Sequence, residues 1–327
     1  MWRPNGETNV ALYPKEVVEY VALTGVPRSM GSRIFVVDAV HGSDANSGDR
    51  WTKPLATVEA AWAKCTTLHN DVVLLVGNGT VNTQTAALTW NKSYTHLIGY
   101  CSPVIGSPRA VVACAAAMAT TPFVTFSGSG CMVKNITFSH ASTDALSLVN
   151  VTLTGGYNYF ENVHFAGALG TNNSTGCRSL ILSGATCISN TFKNCIIGDD
   201  TTAVVQGGAD LAFLLAPSHN VFDDCIFRHQ AGHTSVPHIV CALDHDMGRG
   251  NLFRRCLFCN SKTSVAQVEV WTNGEAFVEP ARPLMLDCWM YGVGKWDNTN
   301  RGVITNITIA ANTTGVNTGN TMIITSA

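Results

Sequence analysis

Three segments of the chain, NTFKNCIIGDD (190–200), NVFDDCIFRHQ (220–230) and NLFRRCLFCNS (251–261), repeat one pattern: Asn-x-Phe-x-polar-Cys-x-(Phe/Ile). Aligned on the polar residue before the cysteine, six copies emerge, anchored at Asn135, Asn162, Asn194, Asp224, Arg255 and Asp287. Subtraction of successive anchors gives spacings of 27, 32, 30, 31 and 32 residues. Each anchor is followed at once by Ile136, Val163, Cys195, Cys225, Cys256 or Cys288. Two positions later stand Phe138, Phe165, Ile197, Phe227, Phe258 and Met290, and two before the anchor stand Val133, Phe160, Phe192, Phe222, Phe253 and Met285. Three apolar columns at this period mark a repeat architecture, each copy one turn stacked on the last.

The parity of the columns locates a corner. The first and third residues after an anchor share one face of a strand, but the second residue before it would face the other way if the strand ran flat. All three are apolar, so the chain must bend at the anchor to bring the earlier column back inside. Asn135, Asn162, Asn194 and Asp224 suit that bend, because Asn and Asp tolerate a left-handed backbone better than other non-glycine residues. Arg255 does not, and the sequence offers no reason for it.

A further strand reads out of each copy: PFVTFSG (122–128), SLVNVTLTGG (148–156), RSLILSG (178–184), DLAFLLA (210–216), HIVCALD (238–244) and AQVEVWT (266–272). Short strands joined by bends, without helices between them, exclude an α/β fold and fit a single coil of parallel strands. From residue 72 onward there is room for roughly eight or nine turns, a rod of about 40 Å at the usual strand spacing. The fold class is therefore all-β, a single-stranded parallel β-helix.

Stacking also bears on the twelve cysteines. Superposed Cys195, Cys225, Cys256 and Cys288 would carry parallel Cβ vectors one strand spacing apart, whereas a disulfide wants Cβ atoms about 3.8 Å apart. Ile136 and Val163 occupy the same column, so reduced cysteine serves as a small apolar filler. Only 13% of the 327 residues are charged and the net charge is −2, which argues against a nucleic-acid partner. No apolar run reaches the roughly 18 residues of a membrane span, and the opening MWRPNGETNV lacks the pattern of an export signal.

The ends need covers, because an open coil exposes strand edges. KPLATVEAAWAKC (53–65) fits a capping helix over about 54–65, with Thr57 as its N-cap and Val58, Ala61, Trp62 and Cys65 on one face. DVVLLVGNGTVN (71–82) follows as the first full strand and turn. PKEVVEYVALTG (14–25) reads as a short helix ending at Gly25. Residues 1–33 form an N-terminal arm and 34–327 the coil, with closing strands over about 300–327.

At this point the residues resemble a family. IFVVDAVHGSDANSGDRWTKPLATVEAAWAKC, followed by a strand and the N-x-F-x-N-C-x-F turns, is similar to the right-handed parallel β-helix proteins related to pectate lyases, particularly those of bacteriophage virions and tailspikes. The likeness spans about residues 33–300. It implies a right-handed coil and a structural virion protein, a capsid decoration or head-fibre protein. The expected molecule is a homotrimer on the virion surface, assembled in the bacterial host cytoplasm, whose residues 1–33 dock on the capsid or other virion proteins, link subunits of the oligomer, or pack on the flank of their own rod. The alternative is a carbohydrate-active enzyme or receptor-binding spike, with host-surface polysaccharide as ligand.

Were the chain enzymatic, Asp244 and Asp246 in LDHDMGRG (243–250) and Asp223 would be its carboxylates, since glycoside cleavage needs two acids about 5–9 Å apart across a groove. Asp199 and Asp200 lie one or two turns away. The non-enzymatic reading assigns no catalytic residue. His229, His233 and His238 read as a loop that also holds Gly232 and Pro237, not a fixed ligand set, and Cys256 of the C-x-x-C belongs to an interior column. HGSDANSGD (41–49) lacks the ligand order of a calcium loop. No metal and no cofactor are expected. Thiol titration of protein unfolded without reductant should find all twelve cysteines free; several intact disulfides would overturn the ladder.

Overall fold

The computed structural model describes residues 14–168, 176–234, 236–241, 247–261, 267–273, 283–297 and 304–305. Three parallel sheets run along one coil. The first has ten strands, from Ile34–Val37 and Asp71–Val76 through Thr191–Lys193 and Val221–Asp223 to Ile304–Thr305. The second has nine, including Ile136–His140, Ile226–Ala231 and Trp289–Tyr291, and the third has eight, from Leu88–Trp90 to Val293–Asp297. All described pairings between turns are parallel.

Each anchor is the corner between the first and second sheets. Asn135, Asn162, Asn194, Asp224, Arg255 and Asp287 all have φ between 51° and 55°, so Asp287 joins the Asn and Asp residues suited to a left-handed bend. The bend returns the earlier column to the interior as the parity requires. Phe160, Phe192, Phe222 and Phe253 are fully buried and stack face to face, with centroids 4.9, 4.6 and 4.7 Å apart. That distance is the spacing between strands.

The cysteine column does more than fill space. Cys195 donates its thiol to the carbonyl of Phe160 (3.6 Å), Cys225 to Phe192 (3.4 Å), Cys256 to Phe222 (3.4 Å) and Cys288 to Phe253 (3.5 Å). The thiol is thus a small apolar residue that also hands a weak donor to the turn before it. All twelve cysteines are free thiols in the structure.

The leading Asn of the motif forms a second ladder, at the entry to the first sheet. Asn158, Asn190, Asn220 and Asn251 are buried. The amide oxygen of Asn190 accepts from the backbone N–H of Asn158, that of Asn220 from Asn190, and that of Asn251 from Asn220, at 2.9–3.1 Å. A buried turn needs such partners, because an unpaired N–H costs about 1–3 kcal/mol.

The cap forms as the sequence indicates. Helix α1 spans Lys15–Leu23 and α2 spans Val58–Lys64; Thr57 Oγ1 accepts from Ala60 N–H at the start of α2. Val58 and Ala61 are buried against the coil, and Lys92 Nζ donates to the carbonyls of Trp62, Ala63 and Cys65 at its end.

Residues 14–33 do not stand apart as an arm. Val17 and Val21, four apart on one face of α1, bury with Val26 against Val72, Leu74 and Ile98 on the outside of the first sheet. Tyr20 Oη donates to the Gly99 carbonyl at 2.5 Å. The outward residues of these early strands are apolar, so the sheet needs a cover and the arm supplies it. Residues 1–13 lie outside the described residues.

Phe222 touches stacked rings on both sides. Phe222→Ala is expected to cost about 3–5 kcal/mol, read as a lower midpoint in chemical denaturation. A loss under about 1 kcal/mol would mean that the neighbouring turns collapse to fill the space.

Candidate functional site

The outward face of the first sheet carries the densest described run of charge. In register from turn to turn stand Lys134, Glu161, Lys193, Asp223 and Arg254, alternating in sign. Lys134 Nζ pairs with Glu161 Oε2 at 2.6 Å and also donates to the carbonyl of Thr24 at the end of α1. Asp223 accepts from Arg254 Nε and Nη2 at 2.9 and 2.7 Å, and from Arg255 Nη2 at 2.6 Å. Arg255 also reaches Asp224, the corner residue one turn earlier, at 2.7 and 2.8 Å. Here is the reason for arginine at a corner: its guanidinium binds two carboxylates of the previous turn, and bidentate contacts of this kind are among the strong ones. The Arg254 hydrogen bonds, with both guanidinium charges behind them, hold the Asp223 carboxyl below its ordinary value despite its burial.

Beside this ladder a groove of about 380 Å³ runs between the end of α1, Pro103 and Ile105, and the corner residues. Its floor is amide. Asn162 Nδ2 donates to Asn135 Oδ1 at 2.7 Å, Asn135 Nδ2 donates to Tyr20 Oη at 2.9 Å, and Asn194 follows one turn on. Asn162 Oδ1 is buried and has no partner among the described residues. Nearby, Ser107 bonds to His164 Nδ1 at 3.1 Å while His164 Nε2 bonds to the Gly198 carbonyl at 3.0 Å, which clasps residues 101–108 over the second sheet.

A different group of polar residues is sealed inside, between the second and third sheets. Asp210 Oδ2 meets His229 Nδ1 at 3.0 Å and His238 Nδ1 at 2.6 Å, and the two imidazoles stack with centroids 4.2 Å apart. All three side chains are at most 2% exposed. Burial works to raise the Asp210 carboxyl, but His229 and His238 outweigh it and hold it below its ordinary value. Burial, with His229 alongside, brings His238 down to about 4. Sequence reasoning placed these histidines in a loop. Instead His229 lies in the strand Ile226–Ala231 and His238 immediately precedes the strand Ile239–Cys241. His233 is exposed and is not part of the group. Asp210 was missed, because its partners lie 19 and 28 residues away and only the turn period brings them together.

The other candidates resolve as follows. Asp244 and Asp246 lie outside the described residues. Asp223 is the double ion-pair acceptor above, and Asp200 lies 3.7 Å from Arg228. In the 41–49 loop, Asp44 accepts from Ala56 N–H, Thr57 N–H and Thr57 Oγ1, so its oxygens serve the start of α2. Cys256 is interior and Cys259 is partly exposed on the second sheet, so the C-x-x-C pair points two ways.

No family model and no curated protein sequence matches the chain. Solved structures do. A point mutant of pectin methylesterase in complex with a hexasaccharide superposes with a TM-score of 0.53, at 16% identity over 80% of each chain. A second pectin methylesterase–hexasaccharide complex gives 0.51, and pectin methylesterase PemA from Erwinia chrysanthemi 0.49, with the same identity and coverage. The shared feature is the fold. It is a right-handed, pectate-lyase-like parallel β-helix.

Asp223 gives this face a pH signature. Its folded pKa is depressed below the unfolded value of about 3.9, so the stability it contributes is complete above that value and is lost as pH falls through the folded pKa. Asp223→Asn should therefore lower the denaturation midpoint at pH 7, and the gap from the parent should close below about pH 4. A gap that persists undiminished in acid would assign the loss to shape instead of charge.

Proposed function

We propose that this chain is a non-enzymatic structural rod of a bacteriophage virion, a capsid decoration or head-fibre protein assembled in the host cytoplasm as a homotrimer. The observation that carries the non-enzymatic part is the neutralised ladder. Glu161 is paired with Lys134, Asp223 with Arg254 and Arg255, and Asp224 with Arg255. A general acid must hold a proton near neutrality, and its partner must stay open to water or substrate. Asp223 and Asp224, fixed by guanidinium groups, do neither.

The third sheet supports side-by-side assembly. Its outward row is Thr89, Thr125, Thr152, Ile181, Ala212, Val240 and Thr272, without an ionisable group. Rods can pack along such a row without charge repulsion or the desolvation of ions. The virion placement is supported by the sequence resemblance over about residues 33–300, and capsid attachment falls to the arm, of which residues 14–33 are already engaged with the rod.

A second reading has its own observation. The floor of the corner groove, with Asn135, Asn162 and Asn194 along it, suits a neutral hydroxyl-rich ligand such as a saccharide. Two pectin methylesterase structures of the same fold hold hexasaccharides.

Light scattering should report a trimer, and mass spectrometry of purified particles should find the chain among their proteins. A reducing-end assay on host surface polysaccharide should find no cleavage. Cleavage that disappears on joint Asp244→Asn and Asp246→Asn substitution would overturn the non-enzymatic reading. A monomer absent from particles would overturn the virion one.

A further inference from the structure

We propose that Asp210, His229 and His238 form a buried structural site for a divalent transition metal, zinc being the best fit, which ties two consecutive turns of the rod together. This goes beyond the structural role above and does not depend on it.

The geometry starts from three separate strands. Asp210 comes from Ala209–Leu214 in the third sheet, His229 from Ile226–Ala231 in the second, and His238 abuts Ile239–Cys241, the next strand of the third. Their ligand atoms, one carboxylate oxygen and two imidazole nitrogens, all lie within 4.8 Å of one another. Zinc bonds of about 2.0–2.2 Å in a tetrahedron place adjacent ligand atoms about 3.3 Å apart. The present separations of 2.6 and 3.0 Å need to open by about 0.7 and 0.3 Å to reach it. Space beside the carboxylate is kept by Gly198, where a Cβ would come within 2.4 Å of Asp210 Oδ1.

The competing account is a carboxylate hydrogen-bonded by the two imidazoles alone. It leaves His238 Nε2 unanswered in a dry interior. If Nδ1 donates to Asp210, Nε2 is a bare lone pair, fully buried, with no partner among the described residues. A dication at the Nδ1 atoms compensates the buried carboxylate and places the His238 proton on Nε2, on a ring whose centroid lies 5.7 Å from that of Phe258. Mixed imidazole and carboxylate ligands suit zinc. Three protein ligands leave a fourth position to an oxygen donor. Because the ligands are sealed from solvent, the metal would enter as the turns close during folding.

The test uses the full chain, unfolded and refolded with Zn²⁺ or with EDTA and then desalted. Elemental analysis should find about one zinc per chain in the first sample, and that sample should melt at the higher temperature. Zinc-edge X-ray absorption of the same sample should show oxygen and nitrogen neighbours, with the outer scattering of two imidazoles. His238→Gln should abolish both the retained zinc and the melting difference. Zinc that shows sulfur neighbours would belong to the cysteines and would overturn the proposal. So would refolded protein that retains no zinc, or equal retention by His238→Gln. The absorption spectrum needs no variant, so a misfolded His238→Gln still leaves the proposal open to refutation.

Discussion

A chain that turns a corner on a single residue must put that residue at positive φ, and the rest of this rod follows from doing so at a matching place in every turn. Outside glycine a left-handed residue costs about 1–2 kcal/mol, least for Asn and Asp. In return, the corner faces residues on both its sides inward, which closes a narrow tube. Six such corners share φ values of 51–55°, so the side chains that follow them arrive in register. A slip of one residue would send each phenylalanine to the outside. The parallel ring stack is thus a consequence of backbone phase, and the cysteine thiols reach the carbonyls of the previous turn for the same reason.

The corner was legible in the sequence because it breaks parity: columns −2, +1 and +3 cannot all be apolar on a flat strand. Whatever repeats with the turn was readable in the same way, including the strands of the third sheet, and the Thr57 cap was readable from its own local pattern. Contacts that occur once and join distant residues were not. Arg255 looks like an error at a corner until Asp223 and Asp224 are seen one turn earlier, 32 and 31 residues away. The packing of α1 was equally hidden, since Val17 and Val21 announce an apolar face but not its partner. The outward positions Val36, Leu74 and Ile98 were the available signal, three apolar residues in the column where later turns place Lys134, Glu161 and Asp223.

The candidate chemistry divides along the same line. On the first sheet, charge recurs with the strand spacing, so each ion has a counter-ion one rung away and the face is self-neutralising. The corner groove is lined by amides that are largely spent on one another and by the paired Lys134 and Glu161.

The rod has three edges, and they are built by different means. One uses a left-handed residue and another an asparagine ladder, both repeated from turn to turn. At the third, between the second and third sheets, the residue before Val151, Leu180, Leu211 and Ile239 is in turn Asn150, Ser179, Asp210 and His238, all buried. Its polarity has a local cause. Asn150 Nδ2, for instance, donates to the carbonyls of Phe138 and Ala166, where strands of the second sheet run out. Identity is free to change because each side chain meets the carbonyls near it by its own means, with no ladder to maintain. A position that is interior, polar and unconstrained by the repeat is where a coil can acquire a charge or a ligand set without disturbing its columns. Asp210, His229 and His238 occupy that edge, and the apolar stacks beside them continue unbroken through Phe227 and Phe258.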